Sequence, residues 1–188
     1  MKKFITTLIL LSMICFVGCT KNISGSISSS TSSDSILTER NEEGSNIENA
    51  KSLNDMEWNY VKSLSSKDSI EEFEKKENYT FPDEFKQCVI NNNGGRPNRR
   101  GFDTENTKER ELKTFLSFNK EDKETMWKAS EIEEDELPSN YIPFAIDNYG
   151  NFICFNSNDD SVVFFDHESL SIELIANNFS SFINCLYD

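Results

Sequence analysis

The only histidine of the chain, His167, is the first candidate for chemistry because a carboxylate lies on each side of it. Asp166, His167 and Glu168 are residue types that bind metals and transfer protons. They follow the apolar run Val162–Phe165, which predicts a β-strand. Neighbouring side chains on a strand point to opposite faces, so these three groups are not expected to converge on one atom. We therefore interpret His167 as a structural residue at a strand end.

Sequence patterns typical of cofactor binding or covalent catalysis are absent from the chain. It contains no glycine-rich phosphate loop, no zinc-finger spacing and no nucleophile elbow of the type Gly-x-Ser-x-Gly. The sequence thus predicts a protein without catalytic residues, cofactor or metal site. The competing hypothesis, an enzyme of the cell envelope, depends on His167 alone.

Thiols are the remaining reactive groups. Of the five cysteines, Cys88, Cys154 and Cys185 lie outside the apolar N-terminal segment, each in an apolar context at a predicted core position. Three thiols cannot all form pairs, and we expect buried free thiols. In an oxidising compartment, a Cys88–Cys185 or a Cys154–Cys185 disulfide is the alternative, and the sequence does not choose between them.

The N-terminal segment has the features of a lipoprotein leader. Lys2 and Lys3 precede the segment Phe4–Val17, which is apolar apart from Thr6, Thr7 and Ser12 and shorter than the about 20 residues needed to cross a bilayer. The segment ends in Phe16-Val17-Gly18-Cys19, which resembles the lipobox of bacterial lipoproteins. The resemblance implies that residues 1–18 are a signal peptide and that lipidated Cys19 holds the protein on the outer face of the cell membrane. The alternative is an ordinary signal peptide with an incidental cysteine.

The next segment is predicted to be a tether. Residues 20–49 are dominated by Ser, Thr, Asn, Gly and Glu, a composition that buries too little apolar area to offset its ordering entropy. We predict a lipidated cysteine and disordered tether over residues 19–49, with a reach of roughly 30 Å. The folded domain is predicted over residues 50–188.

Helices are predicted at both ends of this domain. Hydrophobic spacing indicates a first helix over Ala50–Leu64 and a second that begins at Asp68 or Ser69. A third begins at Pro82 and ends at Asn93-Gly94-Gly95. Its expected buried stripe comprises Phe85, Cys88, Val89 and Ile90. A last helix, Phe179–Leu186 with Asn177 or Asn178 as its cap, has apolar residues at i, i+3, i+4 and i+7.

A β-hairpin is predicted at the centre of the domain. Ile142–Ile146 and Phe152–Phe155 are apolar on both faces, and residues 147–151 are of types that favour chain reversal. Further strands are predicted over residues 112–118, 161–165 and 172–176, and a helix over Glu121–Ser130 precedes the hairpin. Helices at both ends with strands between them predict an α+β fold.

Charge indicates the kind of partner. The formal net charge of −14 repels nucleic acid phosphates, so we predict no direct nucleic acid binding. It suits a basic protein partner, although solubility alone is a competing explanation. The basic loop Arg96–Gly101 is expected to pair with acids of the domain itself. Acidic loop residues near the hairpin, with one tyrosine, are the predicted partner contacts: Glu133, Glu134, Asp135, Glu136, Asp147, Tyr149, Asp159 and Asp160.

A series of short motifs resembles the SUKH superfamily, which includes fungal cell-wall-assembly regulators and many bacterial immunity proteins. The motifs lie at residues 70–74, 81–85, 92–95, 142–147, 150–155, 162–168 and 179–182. The resemblance covers Ile70 to Leu186 and implies a mixed, largely antiparallel sheet flanked by helices.

The resemblance also implies a function. Bacterial members bind and neutralise a cognate toxin, often a nuclease, without chemistry of their own, so no catalytic residues carry over. We therefore expect a membrane-anchored immunity protein. The alternative is an envelope scaffold or regulatory interaction protein that has no toxin partner.

Overall fold

The computed structural model describes residues 55–132 and 136–188. Its helices are α1 (Asp68–Glu77), α2 (Asp83–Asn92), α3 (Met126–Ala129) and α4 (Phe179–Cys185). Its strands are β1 (Trp58–Asn59), β2 (Arg96–Pro97), β3 (Gly101–Phe102), β4 (Arg110–Phe115), β5 (Tyr141–Asp147), β6 (Phe152–Asn156), β7 (Val162–Asp166) and β8 (Ser171–Ala176). The predicted signal peptide, lipidation site Cys19 and tether lie outside the described residues. Within the described ranges, no helix is both long enough and apolar enough to cross a membrane.

Six strands form one sheet in chain order, β3-β4-β5-β6-β7-β8, while β1 and β2 form a separate pair. Neighbouring strands are antiparallel, and the parallel contact among the described residues is an isolated bridge between Ser117 and Thr125. The sheet curls towards a barrel, because the segment after β3 reaches β8: Glu105 N donates to Leu174 O at 3.1 Å. The predicted α+β fold is confirmed, and short turns join β5 to β6, β6 to β7 and β7 to β8 in antiparallel order.

The inner face of the sheet carries an aromatic core. The ring of Phe85, on α2, is fully buried, and its centroid lies 4.9 to 5.4 Å from four other rings. These rings belong to Phe81, Phe144, Phe155 and Phe179. Since they come from the start of α2, from β5, from β6 and from α4, the cluster joins helices and sheet into one core.

The outer face of the sheet is also partly covered. Cys154, Val163 and Phe165 form a second buried cluster with Leu137, which belongs to the segment before β5. The two sides of β6 therefore contact different clusters, with Phe155 in the inner core and Cys154 in the outer one. The predicted burial of this strand on both faces is confirmed for Ile153, Cys154 and Phe155, whereas Phe152 is only partly buried.

The predicted helix over Ala50–Leu64 is wrong for residues 55–64. Trp58 and Asn59 form β1 and pair with Pro97 and Arg96. The Trp58 ring packs edge-on against Phe115, the last residue of β4, with centroids 5.0 Å apart. This contact favours an extended chain at Trp58 over a helix. Tyr60 then has φ 57°, a left-handed conformation that ends any regular helix.

Two further helix predictions need correction. Over Glu121–Ser130, only Met126–Ala129 is helical, because the Thr125 hydroxyl accepts the Lys128 N–H at 3.1 Å and so caps a helix that starts late. On α2, Ile90 is 43% exposed, whereas Phe85 and Val89 are fully buried. Ile90 follows Phe85 by five positions, which on a helix of 3.6 residues per turn places it well off the buried stripe.

The other helix boundaries agree closely with the predictions. α1 begins at Asp68, Pro82 occupies the N-cap of α2, and the Asn178 side chain accepts the Ser181 N–H at 2.8 Å to cap α4. At the end of α2, the fully buried Asn93 accepts the Phe118 N–H at 2.8 Å and donates to Ser117 Oγ at 3.0 Å. The motif at residues 93–95 therefore ends a helix and fastens it to the segment after β4.

The three cysteines of the described residues are free, and they differ in accessibility. Cys88 and Cys154 are buried as predicted, whereas Cys185 is exposed, which corrects its expected core position. Burial raises the pKa of Cys88 to about 12 and raises that of Cys154 well above its usual value. The Cys185 thiol donates to Phe182 O at 3.1 Å, and partial desolvation raises its pKa as well.

We expect N-ethylmaleimide to modify Cys185 first in the folded protein, since its sulfur is the accessible one of the three. Cys88 and Cys154 should react only after unfolding in guanidinium chloride. Peptide mass spectrometry over a time course measures the three rates separately. Equal rates for Cys88 and Cys185 in the folded protein would show that the α2 thiol is not buried.

Candidate functional site

The turn between β5 and β6 is held by one carboxylate. Asp147 Oδ1 accepts the N–H groups of Tyr149 at 2.8 Å and Asn151 at 2.9 Å, and Oδ2 accepts from Asn151 Nδ2 at 2.8 Å. Asp147 itself is 4% exposed. Gly150 has φ 99°, a conformation that L side chains rarely adopt. The turn is therefore tightly specified, and it presents Tyr149, 85% exposed, at its tip.

His167 lies against this turn. Asn151 Oδ1 accepts the His167 backbone N–H at 3.1 Å and lies 2.7 Å from its Nδ1. Because the Asn151 amide nitrogen donates to Asp147, its oxygen faces the imidazole, and Nδ1 carries the hydrogen. A Cβ added at Gly150 would lie 3.6 Å from His167 Cε1. The imidazole thus fastens the end of β7 to the β5–β6 turn, a structural role.

A cleft of about 360 Å³ opens beside this turn, at the outer face of the sheet. It lies between α3, the residues on either side of the undescribed positions 133–135, and strands β5 to β7. Its wall is mainly apolar: Leu116, Ile132, Ile146, Phe152 and Phe165. Its rim is charged or polar: Lys123, Glu124, Lys128, Glu136 and His167. The volume is near the lower end of the roughly 300–1,000 Å³ typical of ligand sites.

The polar groups of the rim are largely bonded to the protein itself. Lys128 Nζ donates to the carbonyl oxygens of Asp122 at 2.6 Å and Lys123 at 3.4 Å, and Glu124 forms an ion pair with Lys113. The Thr125 hydroxyl serves as the cap of α3. Over residues 55–132 and 136–188, no group of three or more His, Cys, Asp or Glu side chains is placed to hold a metal ion. This arrangement suits docking of an apolar group better than a reaction.

A second, larger groove of about 670 Å³ runs along α1 and α2. Most of its charges neutralise one another: Lys86 pairs with Asp83 at 3.0 Å and with Glu74 at 3.8 Å, and Lys75 pairs with Glu71 at 4.0 Å. Hydrogen bonding to Asp83 raises the pKa of Lys86, so its ammonium group stays charged and paired. We therefore favour the outer-face cleft, whose wall is apolar.

The structure places one of the predicted contact residues in the cleft lining and a second next to the lining in the chain. Glu136 lines it, and Tyr149 precedes Gly150, which also lines it. Glu133, Glu134 and Asp135 lie outside the described residues. The chain enters and leaves that acidic run at Ile132 and Glu136, and both belong to the cleft. Of the described part of the acidic run, the structure therefore places only Glu136 at the cleft, on the same site as Gly150 of the turn that carries Tyr149.

The other predicted contacts lie elsewhere. Asp147 is buried and its carboxylate is used within the turn, so it offers no surface to a partner. Asp159 and Asp160 are exposed in the β6–β7 turn, at the far end of β6 from Tyr149. Five strand residues separate the two ends, which is about 16 Å at roughly 3.3 Å per residue. The eight residues thus do not form one surface.

The basic loop behaves as predicted at Arg100, whose Nη2 lies 2.6 Å from Glu111 Oε1. Sequence reasoning missed the apolar wall of the cleft and the contact between Asn151 and His167. That contact had a signal: once β6 and β7 are aligned with Phe152 opposite Phe165, Asn151 and His167 fall near the same end of the hairpin. No sequence signal predicted the apolar wall, because its exposure depends on where the segment before β5 crosses the sheet.

The described part of the chain is an α+β domain whose helices α2 and α4 pack on the inner face of a curled antiparallel sheet and whose outer face carries an apolar cleft. The chain belongs to the SMI1 / KNR4 family (SUKH-1), whose model matches residues 65–185. This confirms the resemblance drawn from the motifs.

A curated relative is the SPbeta prophage-derived uncharacterized protein YokK of Bacillus subtilis (strain 168). It is 35% identical over 71 residues, which cover 36% of this chain and 37% of that protein. The chain therefore matches well under two thirds of that relative's length.

Proposed function

We propose that this protein is a non-enzymatic, membrane-anchored binding module that acts as an immunity protein and neutralises a cognate toxin. The observation that carries the proposal is the apolar cleft, which the exposed residue Glu136 lines and beside which the turn exposes the aromatic side chain of Tyr149. Aromatic side chains beside a desolvated pocket are the residues that most often dominate binding energy. Family membership supports a role in protein interaction.

Anchoring is proposed from the sequence of the leader. Acyl chains on Cys19 would each contribute about 0.8 kcal/mol per buried CH₂, so two or more chains hold a protein durably. The predicted tether would let the domain meet a toxin at the outer face of the membrane. The cell membrane is therefore the proposed location.

Cys19→Ser is expected to abolish lipid attachment and to move the protein out of the membrane fraction. Cells of a bacterium with a lipoprotein pathway are fed an alkyne-labelled fatty acid, and label and fractionation are measured on gels. Cys15→Ser is the matched control, since it changes a cysteine of the same leader and should keep the label. Label that survives Cys19→Ser, or is lost with Cys15→Ser, would contradict the proposed lipid site.

Toxin neutralisation is tested by growth rescue. Proteins encoded beside this gene are expressed singly in a laboratory bacterium, and we expect one to stop growth unless the full chain is co-expressed. Tyr149→Ala should weaken the complex about tenfold, as expected for an exposed aromatic hot spot. Tyr60→Ala is the matched control, because Tyr60 is 76% exposed and, unlike Tyr149, has no neighbour in the chain that lines the cleft. Calorimetry on the purified complex measures both affinities.

Rescue that is equal for Tyr149→Ala and Tyr60→Ala, with equal affinities, would exclude the cleft as the binding site. If no neighbouring protein is toxic and the chain instead binds an envelope protein through the cleft, the alternative role as an envelope scaffold or regulatory interaction protein is correct.

A further inference from the structure

We infer that a small basic pocket takes the carboxylate of an aspartate or glutamate side chain from an acidic protein segment. The basic pocket has a volume of about 150 Å³ and lies where the segment after β1 and the start of β2 meet the end of β4. Its charged lining residues are Lys62, Arg96, Lys113 and Glu124, and Tyr60 lines it as well. The inference goes beyond the proposed function, because it adds a second recognition site for a second partner.

The guanidinium group of Arg96 is fixed in position but is only partly hydrogen-bonded. Its Nε donates to Lys113 O at 2.8 Å, and its Cζ lies 5.4 Å from the centroid of the Tyr60 ring. Within residues 55–132 and 136–188, neither η nitrogen has a hydrogen-bond acceptor or an ion-pair partner. A planar guanidinium group held in this way can donate to both oxygens of a carboxylate at once.

The charges of the basic pocket leave one positive charge unbalanced. Lys113 forms an ion pair with Glu124, and Lys62 Nζ lies 3.5 Å from Asp122 Oδ2. Three cations therefore face two carboxylates, and the excess charge belongs to Arg96. One further carboxylate would neutralise this charge, whereas a phosphate monoester, with a charge of about −1.5 to −2, would exceed it.

Exposed apolar groups beside the basic pocket indicate a protein segment as the source of the carboxylate. Tyr60 is 76% exposed, and the next residue, Val61, is 41% exposed. A segment that inserts an acidic side chain can cover both of them, and the exclusion of water strengthens the ion pair that it forms. The pocket is smaller than the roughly 300–1,000 Å³ of most small-molecule sites, and its size suits one side chain.

The basic pocket and the outer-face cleft adjoin but are lined by different cations. Glu124 lines both sites, and it is neutralised by Lys113. Arg96 and Tyr60 line the basic pocket and not the cleft. Substitutions at these two positions therefore report on the basic pocket, while Tyr149 reports on the cleft.

The test uses the full chain in nanodiscs of phosphatidylcholine, whose headgroup carries no net charge. Four fluorescent peptides with blocked ends carry one central residue between leucines, and this residue is glutamate, glutamine, lysine or phosphoserine. Anisotropy titrations should show that the glutamate peptide binds about fivefold more tightly than the glutamine and lysine peptides, and no more weakly than the phosphoserine peptide. Its affinity should fall between 0.1 M and 1 M salt, as the Debye length shortens from about 10 to about 3 Å.

Variants of Arg96 assign the binding to its guanidinium group. Arg96→Gln should abolish the preference for glutamate over glutamine. Arg96→Lys keeps the charge but loses the planar fork, and it should weaken binding of the glutamate peptide about threefold. Lys75→Gln is the matched control for Arg96→Gln, because it also removes one positive charge, from an exposed residue of α1 outside the basic pocket. Melting curves verify that each variant is folded.

Tyr60→Ala separates this inference from the proposed function. Loss of the ring beside the guanidinium group should weaken binding of the glutamate peptide about threefold and leave the affinity for the toxin unchanged. Tyr149→Ala should have the opposite pattern, since Tyr149 lies beside the cleft.

Three results would overturn the inference. They are equal binding, or no binding, of the glutamate and glutamine peptides, tighter binding of the phosphoserine peptide, and an equal loss with Arg96→Gln and Lys75→Gln. None of them contradicts the proposed function, because growth rescue and its dependence on Tyr149 are measured with the natural partner. Conversely, failure of growth rescue together with selective binding of the glutamate peptide would remove the toxin and support the basic pocket.

Discussion

Phe85→Ala is expected to destabilise the domain by about 4 kcal/mol, the usual cost of removing a fully buried aromatic side chain from a core. The Phe85 ring is fully buried and packs against rings from β5, β6 and α4, so no single element can move to fill the cavity. Urea unfolding followed by circular dichroism measures the change in the free energy of unfolding.

Ile90→Ala on the same helix is the control for Phe85→Ala. Ile90 is 43% exposed, and its truncation should cost less than about 1 kcal/mol. Both substitutions introduce alanine, the best helix former, on α2, so any change in helix propensity has the same sign in the two variants. Comparable destabilisation by both would show that α2 buries Ile90 as deeply as Phe85, which contradicts the orientation of the helix.

Asp147→Ala is expected to cost about 3 kcal/mol, because it leaves the N–H groups of Tyr149 and Asn151 and the Asn151 amide without their acceptor. The loss should also release His167, whose partner Asn151 is oriented by the same carboxylate. The free energy of unfolding is again measured in urea, and the His167 imidazole resonances report on the turn.

Asp159→Ala is the matched control for Asp147→Ala. Asp159 also closes a turn, accepting from the Ser161 N–H at 3.0 Å and hydroxyl at 2.7 Å, bonds that lower its pKa. Asp159 is exposed, so water can replace the lost acceptor, and we expect a cost below about 1 kcal/mol. An equal decrease in the free energy of unfolding for the two variants would mean that the burial of Asp147 adds nothing to the cost of losing its hydrogen bonds.

Sequence patterns correctly predicted the elements whose conformation is determined by residues close to one another in the chain. The apolar run Phe152–Phe155 and the reversal-prone residues after Ile146 specify a two-sided hairpin, and the structure has it. The spacing of Phe179, Phe182 and Ile183 similarly specifies the buried face of α4. In each case, the sequence and the tertiary environment favour the same conformation.

Long-range contacts decided the elements that were predicted incorrectly. Residues near Trp58 have apolar spacings that are compatible with a helix, but pairing with Pro97 and packing on Phe115 hold them extended. A partner about 40 residues away is invisible to a periodicity argument. The shortness of α3 is likewise set by the parallel bridge between Ser117 and Thr125, which holds the cap residue in place.

At the candidate site too, features that depend on local sequence were predicted and features that depend on long-range contacts were not. Sequence identified Glu136, which lines the cleft, and Tyr149, whose neighbour Gly150 lines it, from charge and composition alone. It did not separate them from Asp147, whose carboxylate bonds the turn, or from Asp159 at the far end of β6. The apolar wall was not predicted, because its exposure depends on how far the segment ending at Leu137 covers the outer face of the sheet.

The central claim is that the protein acts by docking a partner in the outer-face cleft, and site-specific photo-crosslinking in living cells tests it most directly. A photoreactive phenylalanine replaces Tyr149 in one strain and Tyr60 in another, in the full chain. We predict that the toxin identified by growth rescue crosslinks at position 149 and not at position 60. Crosslinking of that toxin at position 60 but not at 149 would contradict the claim.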